Sequence, residues 1–361
     1  MASVKMPQSK ARSRKDGSAI PLDETDKRLM NLLQSNFPLD PEPFALIATA
    51  AELELDDVLT RTQRLLDGRI IREITPIFDT RALGYESMLV AAKVDADNPQ
   101  RAARAVNAHP GVSHNYLRTH DFNLWFTIAT PPDSELGLDG TLEVLMRETG
   151  AESMRELPTL TLFKINMNLE MEKGTEALAA AVEAAPPREL DAQPYDADDI
   201  ALIKALQGPM AAVERPYDEA AAELGIDTGE LLSRLRDLTD RKILRRVAAI
   251  LYHRRAGFSA NGMGVWKVPA DEIMETGARM ASFRGVSHCY QRPTYEDWPY
   301  SVFTMAHGRS KEECDAVLDS IAEDCGIGPD GRATLYSSTE YKKIRLHYFT
   351  DDYSRWEREH S

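Results

Sequence analysis

Gly111-Val112-Ser113-His114-Asn115-Tyr116-Leu117-Arg118 organises the reading of this chain, because it recurs as Gly285-Val286-Ser287-His288-Cys289-Tyr290-Gln291-Arg292. In each copy His, Tyr and Arg occupy alternate positions, so on a β-strand all three project from one face. Strand packing favours β-branched and aromatic residues rather than an imidazole beside a guanidinium. For a single copy a solvated polar sheet face would suffice as an explanation. A repeated face carrying an acid, a phenol and a fixed cation points instead to a site.

Outward from this motif the duplication continues. Leu22 through Leu33 matches Tyr195 through Leu206, with Asp23/Asp196, Asp26/Asp199 and Leu29/Leu202 in register; Ile70-Ile71-Arg72 matches Ile243-Leu244-Arg245, and Gly84-Tyr85 matches Gly257-Phe258. The chain is therefore two homologous halves in tandem. Between them, 172–194 is rich in Ala and Glu and closed by Pro186-Pro187 and Pro194, the pattern of a short helical or flexible linker.

Each half opens with three short apolar-periodic segments. These are Asp26 to Gln34, Phe44 to Leu53 and Asp56 to Leu66, then Asp199 to Leu206, Tyr217 to Leu224 and Thr228 to Thr239. Three short helices joined by tight turns suit a winged helix-turn-helix. The periodicity then changes to strand-like Met88 to Val94, Val112 to Arg118, Leu124 to Ala129 and Thr159 to Ile165, with helices at Pro99 to Ala108 and Thr141 to Glu148. The second half gives the same order, with the final strand at Arg332 to Leu346. The fold class is α+β: a tandem repeat of a winged helix-turn-helix followed by a βαββαβ, ferredoxin-like sandwich. The expected divisions are a disordered basic tail (1–20), helix-turn-helix 1 (21–74), ferredoxin-like domain 1 (75–171), the linker (172–194), helix-turn-helix 2 (195–246), ferredoxin-like domain 2 (247–349) and a C-terminal tail (350–361).

Composition excludes several classes. No apolar run is long enough to span a bilayer, and the start carries no apolar signal-like stretch. Cys289, Cys314 and Cys325 form no CxxC pair, so neither a zinc site nor a disulfide framework is expected, and the thiols fit a reducing, cytoplasmic setting. The net charge of −15 opposes a polyanionic partner. The candidate recognition helices carry Asp56-Asp57 in one copy and Asp227, Glu230 and Asp237 in the other, partly offset by Arg61, Arg64, Arg234 and Arg236. A helix-turn-helix kept as scaffold, with no specific nucleic acid, is therefore expected.

The helix-turn-helix and βαββαβ order, with "LDETDKRLMNLLQ" and "TRTQRLLDGRIIREI", resembles the Lrp/AsnC regulators, whose second domain dimerises and binds small effectors. A sharper resemblance, over most of 22–349, is to the siroheme decarboxylase family, whose two related subunits are sometimes fused. It rests on "GVSHNYLRTHDFNLWFTI", "RRVAAILYHRRAGFSANGMGVWKVP" and "GVSHCYQRPTYEDWPYSVFTMAHG". The resemblance implies loss of carbon dioxide from two acetate side chains of siroheme, giving didecarboxysiroheme on the way to haem d1 or haem b. It also implies that no added cofactor is required, the iron being carried by the substrate. The competing class is a DNA-binding regulator sensing a tetrapyrrole or an amino acid, and a blander one is a haem-binding scaffold.

A large anionic macrocycle needs apolar walls and cations at the rim. Arg118 and Arg292 are the expected carboxylate binders, since a guanidinium offers a bidentate fork. His114 and His288 are the candidate proton donors, with Tyr116 and Tyr290 in support. The second half is richer: Arg245, Arg246, His253, Asn261, Trp266, Tyr295, Trp298 and His307 are further substrate-binding candidates, and His120 is the first half's addition. Arg245 and Arg246 could equally be surface cations, and Trp266 and Trp298 packing residues. His253 or His307 is a possible ligand of the substrate iron. An internal pseudo-dimer paired through its sheets, with siroheme near the interface, is the expected arrangement.

Overall fold

The computed structural model describes residues 20–35, 37–165, 192–252 and 260–360. The first half begins with α1 (Glu24–Ser35), α2 (Pro43–Ala51) and α3 (Leu55–Asp67), and the second with α6 (Ala197–Leu206), α7 (Asp218–Leu224) and α8 (Thr228–Asp240). The aspartates that align between the halves explain why these helices start where they do. Asp26 N–H donates to the Asp23 carboxylate at 2.7 Å and Asp23 N–H to Asp26 at 3.1 Å, and Asp196 and Asp199 form the same reciprocal cap on α6. The apolar stripe behind each cap is buried, with Leu29, Leu33, Leu202 and Leu235 fully inaccessible. Truncating one of them, as in Leu29→Ala, costs about 2–5 kcal/mol.

After α3 and α8 come β1 (Ile71–Phe78) and β7 (Leu244–Leu251). A wing would fold back within its own half. Instead β1 and β7 pair with each other, antiparallel, with Ile74 opposite Ala249 and Pro76 opposite Val247. The exchange merges both helix-turn-helix units into one apolar core, in which Phe44 and Leu65 join Leu202, Tyr217 and Val247. The boundaries expected after 74 and 246 therefore fall inside strands.

The remaining strands form one nine-stranded sheet. The first half supplies β2 (Glu86–Lys93), β3 (Val112–Arg118), β4 (Leu124–Thr130), β5 (Ser153–Leu157) and β6 (Thr161–Ile165), with α4 (Pro99–Ala108) and α5 (Gly137–Thr149) on the outer face. The second half supplies β8 (Ala260–Trp266), β9 (Val286–Gln291), β10 (Val302–Gly308) and β11 (Arg332–Lys343), with α9 (Ile273–Ser282) and α10 (Lys311–Asp324). The order is β5-β2-β4-β3-β11-β8-β10-β9-β6. Each half keeps the ferredoxin-like order, and each sends its last strand across: β6 pairs with β9, while the end of β11 pairs with β3. The single strand expected from Thr159 to Ile165 is therefore only the crossing part of a broken pair, β5 and β6.

The faces not covered by helices pack on each other. Ala91, Trp125 and Leu157 of the first half meet Met263, Val265, Trp298, Phe303 and Leu335 of the second in one buried cluster. The segment expected as a C-terminal tail forms α11 (Asp352–His360). Its Trp356 packs on His109 at 4.4 Å between ring centres, and the buried Glu357 carboxylate accepts from the Ser134 hydroxyl and from the Glu135 and Leu136 N–H groups at 3.4 Å. A buried Trp immediately before a carboxylate that accepts at the start of α5 anchors this helix, which a reading of periodicity over so few residues misses.

Candidate active site

The alternation in the recurring motif produces the face it implies. In β3 the His114 and Tyr116 rings lie 6.1 Å apart with the Arg118 guanidinium 5.6 Å from the Tyr116 ring centre; in β9 His288 and Tyr290 lie 5.9 Å apart with Arg292 at 4.8 Å from Tyr290. The intervening residues point the other way, Asn115 donating to Ala103 O and Cys289 joining the core under α9. Both ladders run into the interior between the halves. Arg118 and Arg292 are 7 % and 8 % exposed. Each spans the duplication, Arg118 donating to Leu335 O at 2.9 Å and Arg292 to Leu157 O, at the points where the last strands cross over. In both, Nε is buried and has no partner among the described residues. Among the described residues neither forms an ion pair, and burial pulls both guanidinium groups down to about 10. Two interior cations without counter-ions have donor capacity left for an anion.

The surroundings of the two ladders differ in charge. Burial raises the Tyr290 phenol, and three cations counter that rise: Arg292, Arg245 from β7, and Arg81 from the turn after β1. Arg246 follows Arg245, and burial together with Arg245 lowers it. In the first half, burial, Lys343 and Arg72 bring His114 down to about 4. There, however, Glu73 stands where the second half has Arg246, and its carboxylate lies 3.6 Å from both Arg72 and Arg345. The first half thus sets a carboxylate beside Arg72, the cation that acts on His114.

Behind His288 lies a polar bridge. Ser287 Oγ is 2.7 Å from His288 Nδ1 and 2.7 Å from His307 Nε2, and Asn261 faces His307 in the β8–β10 register. Burial, then Lys343, lowers His307 to about 4, so it is neutral at pH 7. In the first half Ser113 reaches His114 Nδ1 at 2.9 Å.

The structure sorts the remaining expected site residues. Trp266 is on the opposite face of β8, buried under α10 with Nε1 donating to Thr304 Oγ1 at 2.9 Å; its strand parity excludes it from the inward face, a correction to its expected substrate contact. Trp298 does reach the inter-sheet core, edge-on to His120, Trp125 and Tyr300, and next to Phe303, over which Arg292 also lies. Tyr295 donates to Glu156 O at 2.6 Å and stacks under Arg155, which is paired with Asp297, so it ties the β5 edge rather than joining the His288 group. His120 accepts from Phe122 N–H, packs on Trp298 and lines an open groove of about 510 Å³ with Lys93, Asp95, Asp121 and Glu152, a groove whose lining holds no residue of either ladder. His253 lies outside the described residues. His307 has Nε2 engaged by Ser287, so that nitrogen is not directed at an iron.

Residues passed over in the sequence are Arg81, Ser287, Glu73, Arg72 and Lys343. Ser287 and Arg72 were inside recurring strings and could have been found there; Arg81 and Lys343 arrive by chain exchange. The helix-turn-helix arginines are already occupied: Arg61 by Asp23, Asp26 and Asp57, Arg64 by Asp26, Arg234 by Glu230, and Arg236 by Leu39 O.

Comparison with known proteins bears on this arrangement. The AsnC-like ligand binding domain matches 82–164 and 255–342, and the siroheme decarboxylase NirDL-like HTH domain matches 26–72 and 199–245. The chain is 40 % identical to a siroheme decarboxylase of Hydrogenobacter thermophilus, over 93 % of this chain and 98 % of that one. It is 36 % identical to the siroheme decarboxylase NirDL subunit of Paracoccus denitrificans, over 82 % of this chain and 89 % of that one. The crystal structure of the siroheme decarboxylase NirDL superposes with a TM-score of 0.72 at 35 % identity, covering 93 % of this chain and 98 % of that one; a second NirDL structure, in complex with an iron-uroporphyrin III analogue, superposes at 0.71 and 34 % identity with the same coverage. With both domain types present twice and relatives aligned along nearly its whole length, the chain belongs to the siroheme decarboxylase family, in the form that joins both related halves in one polypeptide.

Proposed function

We propose that this chain is a carboxy-lyase that takes two acetate side chains of siroheme to methyl groups, giving didecarboxysiroheme for haem d1 or haem b synthesis, and that the chemistry belongs to the second-half ladder. The observation that carries the assignment is the unbalanced charge around Tyr290: Arg292, Arg245 and Arg81 converge there, while the first half sets Glu73 against its own cations. An octa-anionic ring is drawn more strongly to the first environment, because in the second a carboxylate offsets part of the cationic charge. Arg245 and Arg81 bind peripheral carboxylates. Arg292 receives one at the inner end through its unpartnered Nε.

Decarboxylation breaks the bond between the acetate methylene and its carboxylate. The electron pair spreads into the conjugated macrocycle, carbon dioxide departs, and a proton is added to the carbon. His288 supplies that proton and Tyr290 orients the carboxylate beside it. The protein needs no cofactor of its own, because the ring is the electron sink and its iron arrives with it. The engaged helix-turn-helix arginines support a scaffold role without specific DNA binding, the three dispersed cysteines support a cytoplasmic setting, and no helix among the described residues is long and apolar enough to cross a membrane. Anaerobic incubation of the purified chain with siroheme, followed by mass spectrometry, tests the reading. The expected result is loss of two carbon dioxide units per ring, and siroheme recovered at its original mass refutes it.

A further inference from the structure

The Ser287 bridge carries an inference beyond the family activity. A serine hydroxyl has one proton to give and two lone pairs to receive. Ser287 Oγ touches three groups: His288 Nδ1 and His307 Nε2, each at 2.7 Å, and Met305 O at 3.3 Å. One proton and two lone pairs suffice for all three contacts, so Oγ ties the His288 ring at Nδ1 both to His307 and to the β10 backbone. Held at Nδ1, the His288 ring is fixed in orientation, with Nε2 as its distal nitrogen.

We propose that Ser287 is a positioning residue which, held by His307 and Met305 O, fixes the orientation of the His288 ring and so aims its distal Nε2 for proton delivery to the substrate methylene carbon. The second-half ladder has this bridge in full. In the first half the position corresponding to His307 is Ala129: Ala129 N–H donates to Gly111 O as His307 N–H donates to Gly285 O, and an alanine there leaves Ser113 with His114 and without a second ring among the described residues. Ser287 is 6 % exposed, so it does not take its role from bulk water. The inference rests on the assignment of His288 as proton donor made above.

Steady-state decarboxylation by Ser287→Ala, Ser287→Thr, His307→Leu and His288→Ala, with siroheme binding followed by absorbance titration, tests it. The expected result for S287A is a fall in kcat of about 10- to 100-fold with KM held within about twofold, because orientation of a general acid acts on the chemical step rather than on binding. S287T, which restores a hydroxyl, should recover kcat to within about threefold of the natural chain. H307L should lower kcat by about tenfold at unchanged siroheme affinity. Full kcat in S287A or H307L overturns the proposal, as does a loss that falls on KM alone or an S287T variant no better than S287A. If H288A itself keeps full kcat, the assignment of the proton donor has failed. If H288A is inactive while S287A is not, only the role of Ser287 has failed.

Discussion

Arg292→Met separates the two roles that Arg292 can have, a brace at the crossover or a receptor for a substrate carboxylate. Burial brings the guanidinium down to about 10, well below its value in the open chain. At pH 7 it is charged in both folded and unfolded states, so the whole solvation penalty, about 3 kcal/mol, is present there and fades only above pH 10 as the folded form releases its proton. Methionine fills much of the same volume and removes that penalty. It also removes the bond to Leu157 O, worth about 1.5–3 kcal/mol for a charged donor. The two nearly cancel, and urea denaturation should place R292M between about 0 and 2 kcal/mol above the natural chain. Siroheme, however, loses a charge-assisted partner, which weakens binding by about 1.5–3 kcal/mol, or roughly 10- to 150-fold in Kd, read by absorbance titration. A variant that loses more than about 2 kcal/mol of stability while Kd stays put would show that Arg292 is a brace alone, and the reasoning from its idle Nε would be wrong.

Three further outcomes follow from the same structure. Burial holds His109 down to about 3 and His114 and His307 to about 4, all below the unfolded value of 6.5; each therefore gives stability that is complete above pH 6.5 and is lost as pH falls, at about 1.4 kcal/mol per unit, so that stability at pH 5 should be about 5–6 kcal/mol lower than at pH 7, and a flat profile over that range contradicts their burial as neutral rings. Glu357→Ala strips the Ser134, Glu135 and Leu136 donors of their acceptor and should cost about 2–4 kcal/mol in thermal or urea unfolding, whereas no change would mean that α11 is not docked in solution. Glu73→Gln removes the carboxylate that faces Arg72 and Arg345, and isothermal titration should then show siroheme-type ligand binding to the first half as a second, weaker event; an unaltered isotherm removes Glu73 as the source of the asymmetry.

The sequence by itself determined the duplication, the positions of most helices and strands, and the shared face of His, Tyr and Arg. These are local properties. Alternation on a strand sends residues two apart to one side whatever the strand pairs with, and reciprocal aspartates start a helix from within the same few residues. Its strings also carried the resemblance to the siroheme decarboxylases, which the relatives then bore out. What only the tertiary structure decided is partnership between distant segments. β1 and β7 look like wing strands because nothing in Ile71–Phe78 records that its partner is Leu244–Leu251. Arg81 reaches Tyr290 only because that exchange carries it across, and Trp266, inside the most distinctive string, turned out to face the helices because its parity on β8 matches Gly264 rather than Val265. A serine stands in both copies of the recurring motif, as Ser113 and Ser287, yet the contacts of Ser287 depend on His307 arriving from β10, a meeting set by strand register rather than by anything adjacent to it in the chain.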